Sequence, residues 1–214
     1  MKIFEIIFNV SYLLIIWIYV VKMKKNHPSK TQKLYFYAFL FLAVGDTLHV
    51  GFRTIGHIIG DINFAMGNIK MIGLGSFATA ITVTITYLFF TLALHEKYES
   101  QNTLKWISIL SIIRVIIVLL PQNNWFSEST YAWGIIRNFP LVVIGYLLIL
   151  AMYKSKDVFF KKFATLILWS YAFYLPVILF VDFLPMIGML MIPKTIMYLL
   201  MLKLVYDNHF KMST

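Results

Sequence analysis

The amino-acid sequence predicts an all-α, polytopic membrane protein: a seven-transmembrane-helix bundle with its N-terminus outside and its C-terminus cytoplasmic. Three observations carry this. Hydrophobic residues make up 60% of the 214 positions and charged residues only 13%, whereas a soluble domain carries about 25% charged residues. Apolar runs long enough to cross a bilayer recur seven times, separated by polar links too short to form a second domain. Finally, the basic residues are distributed unevenly. The links after the first, third and fifth runs and the C-terminal end counted from Lys203 hold thirteen Lys and Arg, while the opposite side holds two, Lys2 and Lys70. Cytoplasmic loops carry such an excess. The chain is therefore read as one domain, residues 1–214, in the inner or plasma membrane.

The first helix runs from about Ile3 to Val21. No small-residue cleavage site follows it, so it reads as a retained helix rather than a signal peptide. The Lys22–Lys33 link holds five lysines and Pro28. The second helix spans Leu34 to Gly60, and the link Asp61–Lys70 leads to the third, Met71 to Leu94. Gly73, Gly75, Ser76, Thr79, Thr82, Thr84 and Thr86 make that helix suited to close approach and to hydrogen bonding across helices. After the polar link His95–Lys105, the fourth helix runs from Trp106 to Pro121, short and interrupted by Arg114. The fifth spans about Ala132 to Tyr153. The sixth spans Phe163 to Leu184, with a tight turn at Pro185. The seventh spans Met186 to Tyr206, followed by the tail Asp207–Thr214. Trp125 and Trp133 then fall at the outer interface and Trp106 at the inner one, as aromatic belts do.

Composition narrows the function classes. The formal net charge of +10 invites a nucleic-acid reading, but the lysines sit in loops beside apolar helices, where they set topology; no nucleic-acid partner is expected. Cysteine is absent, which excludes disulfides and thiol-based metal or redox sites. No internal repeat is evident, which argues against an inverted-repeat transporter.

The polar chemistry of the interior is concentrated in the second helix. Asp46, His49, Arg53 and His57 are spaced three, four and four apart, so they stack on one helical face over about three turns. Ionisable side chains at membrane depth are costly and usually face a bundle interior or a wet cavity. Asp46 lies near mid-membrane, Arg53 about 10 Å further outward and His57 about 16 Å. Arg114, Arg137 and Lys194 fall at overlapping depths on the fourth, fifth and seventh helices. The acids counted against these four cations are Asp46 and Asp182, with Asp61 at the rim. The expected result is an outward-facing cationic cavity in which Asp46, His49, Arg53, His57, Arg114, Arg137 and Lys194 bind a small anion or lipid headgroup. The alternative for the same residues is internal pairing that holds helices together.

No metal site is expected: His49 and His57 are eight apart, and neighbouring cations oppose a dication. Asp46 and His49 are candidate acid/base residues of an intramembrane hydrolase, with Ser76, Thr79 or Thr82 as possible nucleophiles. Seven helices, an outside N-terminus and Lys194 midway along the last helix resemble the microbial rhodopsins, where that lysine holds retinal. The resemblance covers topology and one residue. The third helix has no carboxylate between Met71 and Leu94 to act as counter-ion, and Leu190 stands one turn before the lysine where that family has an acid. The family's functional residues therefore do not carry over, and no cofactor is expected; retinal held by Lys194 is the most distant alternative. Seven-helix membrane hydrolases are similar in outline, but the C-terminal histidine pair they use is missing. The leading expectation is a receptor or transporter for an anionic molecule, with membrane lipids as partners. The alternatives are an intramembrane lipid-processing hydrolase or a structural scaffold.

Overall fold

The computed structural model describes residues 2–24, 27–61, 63–67, 69–127 and 130–211. Lys25 and the Lys2 side chain, both counted in the charge bias, lie outside the described residues, as does the tail beyond Lys211. Seven helices dominate: α1 (Lys2–Met23), α2 (Lys30–Ile59), α3 (Met71–Tyr98), α4 (Gln101–Leu119), α5 (Tyr131–Lys154), α6 (Val158–Phe180) and α7 (Met191–His209). Seven helical segments among the described residues are long and apolar enough to cross a membrane. Each helix packs on its neighbours in sequence and α7 returns to α1, so the bundle is a closed ring. Short links make neighbours antiparallel. One end, here the N-terminal face, gathers the starts of α1, α3, α5 and α7 and the ends of α2, α4 and α6. Large apolar side chains such as Leu14, Ile18, Ile112, Ile116 and Phe139 are exposed on the outside of the ring, a surface suited to hydrocarbon rather than water.

The α2–α3 seam is the most extensive contact in the ring, and small residues make it possible. A Cβ at Gly75 would lie 2.7 Å from the His49 Cα, and one at Gly45 would collide with the Thr82 hydroxyl. With only hydrogens there, the two backbones approach closely enough for hydroxyls to cross the seam: Thr79 donates to the Gly45 carbonyl at 2.9 Å and Thr86 to the Ala38 carbonyl at 3.1 Å.

The helix boundaries extend beyond the apolar runs, because polar end residues cap them. α2 starts at Lys30 behind a reciprocal cap: Ser29 accepts from the Gln32 N–H at 3.2 Å, and the Gln32 side chain accepts from the Ser29 N–H at 2.9 Å. α6 starts at Val158 rather than Phe163, because Asp157 accepts from the backbone N–H of Phe159 and Phe160 at 2.7 and 3.3 Å. The expected link His95–Lys105 is mostly helical. α3 continues to Tyr98, and Glu99, at φ +47°, turns the chain into α4 at Gln101. The seventh helix is preceded by a 3-10 turn, Pro185–Leu190; Pro193 then sits in the first turn of α7, where its missing N–H leaves no partner unsatisfied. The α2–α3 link carries a small antiparallel hairpin, β1 (Ala65–Met66) with β2 (Ile69–Lys70), which the sequence did not signal.

The tightest packing lies in the half of the ring away from the N-terminal face. There Tyr35, Phe39, Phe90 and Phe163 are fully buried, with ring centroids 4.9 Å apart for Phe90–Phe163 and 5.4 Å for Phe39–Phe90. These edge-on and tilted contacts fill the centre of the bundle.

Candidate functional site

The other half of the ring is hollow. A cavity of about 810 Å³ occupies the bundle toward the N-terminal face, with walls from all seven helices. Its floor is formed by Tyr87, Tyr171 and Tyr198, which adjoin the aromatic packing beneath. Asp46, His49, Arg53, Arg114, Arg137 and Lys194 line it, together with Glu5 and Asp182. His57 does not reach the wall and instead faces α1.

The rungs of the α2 stripe take different partners. Asp46 is buried and accepts a hydrogen bond from the Tyr12 hydroxyl of α1. One turn on, His49 Nδ1 lies 3.2 Å from Ser76 Oγ, which also donates to the Ile72 carbonyl at 2.9 Å. The Ser76 hydroxyl thereby links the His49 imidazole to the α3 backbone. Gly75 sets this pair, since the backbone contact it permits brings α3 against His49. Above it, the Arg53 Nε meets Glu5 Oε1 at 2.5 Å, and His57 Nε2 lies 3.2 Å from Glu5 Oε2.

Glu5 corrects the charge count expected from sequence. The acids facing the four cations include a carboxylate from the first turns of α1, and it engages Arg53 directly. Arg114 also differs from expectation. It is 1% exposed, and its guanidinium is occupied by neutral acceptors: the Ala80 carbonyl at 2.9 Å, the Arg137 carbonyl at 3.3 Å and the Thr84 hydroxyl. Arg114 thus fastens α4 to α3 and α5, and only a margin of it meets the cavity.

Two cations remain prominent on the α5–α7 side. The Arg137 guanidinium stacks 4.3 Å from the Trp125 ring. The Lys194 ammonium sits 4.3 Å from the Tyr174 ring and 5.2 Å from that of Tyr198. The tyrosine faces hold the Lys194 ammonium against the wall without neutralising it. Among the described residues, no carboxylate lies within ion-pair distance of Lys194, although Asp46 is near enough to act on it electrostatically. Tyr174 is itself anchored, donating to Asn138 Oδ1 at 2.9 Å.

Several of these residues escaped the sequence reading. For Glu5 and Tyr12 the signal was present: Glu5, Asn9 and Tyr12 are spaced four and three apart, a polar stripe on α1 like the one on α2. Asn9 completes that face by donating to the Thr54 hydroxyl at 3.1 Å. The Tyr174 and Trp125 platforms carry no such signal, because aromatic residues are common throughout the chain.

Comparison with protein-family models, curated proteins and solved structures returned no match. The functional reading therefore rests on the geometry of the cavity alone.

Proposed function

We propose that this chain is a multi-pass protein of the inner or plasma membrane that binds a small anionic molecule or lipid headgroup in the cavity, with the N-terminal face outward. The observation that carries this reading is Lys194: a cation set into the cavity wall on two tyrosine rings, with no acid in ion-pair distance among the described residues. A buried charge lacking such a partner is costly, and an anion entering the cavity offsets that cost through charge-assisted hydrogen bonds. Arg137 on Trp125 supplies a second contact, and an arginine grips phosphate or carboxylate through two parallel donors. The outward orientation rests on the thirteen-to-two distribution of loop cations. The tyrosine floor and the aromatic packing beneath it favour a one-sided binding pocket over a continuous pore. Native mass spectrometry of the extracted chain tests the reading. A co-purifying anionic adduct is expected on the wild type and is expected to be lost in Lys194→Gln. If the wild type carries none, and no anion raises its melting temperature, the chain is not an anion binder.

A second reading, an intramembrane lipid hydrolase, is favoured by the Ser76–His49 contact at 3.2 Å. Two features weigh against it. The Asp46 carboxylate takes the Tyr12 hydroxyl, and no hydrogen bond orients His49 from that side. His49 also shares the cavity wall with Lys194 and Arg53, and an imidazole that took up a proton there as a general base would add a third positive charge.

A further inference from the structure

The cavity has two kinds of mouth. One is polar: a depression of about 440 Å³ on the N-terminal face, lined by Asn63, Lys70, Asn124 and Ser127, shares Ser76, Trp125, Arg137 and Asp182 with the main cavity. The other is apolar. Phe4, Met186 and Met189 line the cavity, yet they are 61%, 74% and 46% exposed. Side chains this open stand at a mouth of the cavity rather than deep in it; Phe4 lies on α1, and Met186 and Met189 on the 3-10 turn that leads into α7. The α1–α7 seam is also the sparsest between neighbours in the ring. Its ring contact, Tyr19 with Tyr206 at 5.2 Å, lies in the far half of the bundle, well below the cavity.

An opening to water has no use for a rim of phenylalanine and methionine, whereas an opening to hydrocarbon does. Behind that rim Phe8 and Ile192 line the cavity toward Lys194, while the polar residues of the same α1 stretch, Glu5 and Asn9, are engaged by Arg53 and Thr54 of α2. The path therefore runs from an apolar side entrance, past Phe8 and Ile192, to a cation with polar access beyond. The volume, about 810 Å³, is in the range of about 300–1,000 Å³ usual for small-molecule sites. We infer that the ligand is an anionic amphiphile drawn sideways from the membrane between α1 and α7, its head at Lys194 and Arg137 and its chain along Phe8 and Ile192 toward Phe4 and Met189. The inference rests on the anion-binding reading above and adds the ligand class and the route.

The test uses the full chain in lipid nanodiscs and a long-chain fatty acid carrying a photoreactive group near the end of its chain. An alcohol of the same length serves as uncharged control, and acetate and inorganic phosphate serve as soluble competitors. The fatty acid is expected to label cavity residues of α1 and α7, Phe8 and Ile192 among them. The alcohol is expected to label them about ten-fold less, the loss of a charge-assisted contact. Lys194→Gln should lower labelling by a similar factor and Lys194→Arg should restore it; Met189→Glu, at the apolar mouth, should slow it. Displacement of the probe by acetate or phosphate would overturn the amphiphile while leaving an anion site in place. Equal labelling by acid and alcohol, or labelling confined to outward positions such as Leu14 and Ile18, overturns the inference. If in addition neither acetate nor phosphate binds, the anion reading falls with it. The comparison of acid with alcohol uses the wild-type chain, so it stands even if the Lys194 variants do not fold.

Discussion

At the residue scale, a few side chains decide what the cavity is, and they differ in how visible they were. The α2 stripe was legible because charges in an apolar run are conspicuous and their period is helical. Their partners were harder to find. Glu5 sits at a helix start, where an acid passes for a terminal charge, and only the three-dimensional approach of α1 to α2 gives it Arg53 and His57. Glu5→Gln should therefore loosen α1 from α2. Both members of the Glu5–Arg53 pair keep some exposure, with side chains 26% and 38% exposed, so the expected loss is about 1 kcal/mol. Asp46→Asn should cost more, about 1.5–3 kcal/mol for a hydrogen bond to a charged group, because Asp46 is buried and its carboxylate holds the Tyr12 hydroxyl. Denaturation of the two variants in detergent checks the ranking; equal, negligible effects would remove both acids from the charge balance. At the opposite end, Asp157 is held well below the ordinary carboxylate range, from 3.8 to about 2, first by the Lys97 ammonium at 2.6 Å and then by the Tyr98 hydroxyl and its capping bonds. A depressed carboxyl contributes stability above its unfolded value and loses it as pH falls through the folded one. Melting temperature should accordingly drop between about pH 4 and pH 2, and Asp157→Asn should start lower and flatten that acid limb.

At the element scale, the seven helices were legible because a membrane span needs length and apolarity, both readable in one dimension. Their ends were not. Gln101–Lys105 is mostly polar and Lys154–Lys162 is rich in lysine, so both look like loop, yet the Glu99 turn and the Asp157 cap start helices within them. The hairpin at Ala65–Lys70 escaped because two-residue strands leave no periodicity to detect. The α2–α3 seam is the element contact on which the site depends most. Gly75→Val would place methyl groups against the His49 backbone and force the helices apart. Overpacking of this kind costs about 1–3 kcal/mol, and here it should also separate Ser76 from His49. Ser76→Ala, in contrast, should leave the seam packed. A variant at Gly75 that keeps wild-type stability would show that the close approach is not needed.

At the scale of the whole molecule, the ring places a hollow, charged half above a dry, aromatic half. The sequence places Arg53, Arg114, Arg137 and Lys194 at overlapping depths, and all four are among the residues that line the hollow; its floor had no such signal, since nothing in a list of apolar residues says which of them meet at the centre. Orientation is testable without any ligand. The chain has no native cysteine, so single cysteines at Lys2 and Trp125 should react with an impermeant reagent on intact cells, and those at Lys24, Lys156 and Lys211 should not. Labelling at 156 or 211 would invert the assignment. The floor of Tyr87, Tyr171 and Tyr198 has an electrical meaning too. Where water reaches deep into a protein it carries the potential of its own side with it, and the voltage falls across whatever is dry. An ion that moves through the full field gains or loses about 2.3 kcal/mol per 100 mV. In the proposed orientation, an anion that descends only to Lys194, above the tyrosines, crosses little of that drop. Occupancy should then be nearly the same in energised and depolarised cells, and the resting potential would act on the aromatic half of the bundle rather than on the ligand.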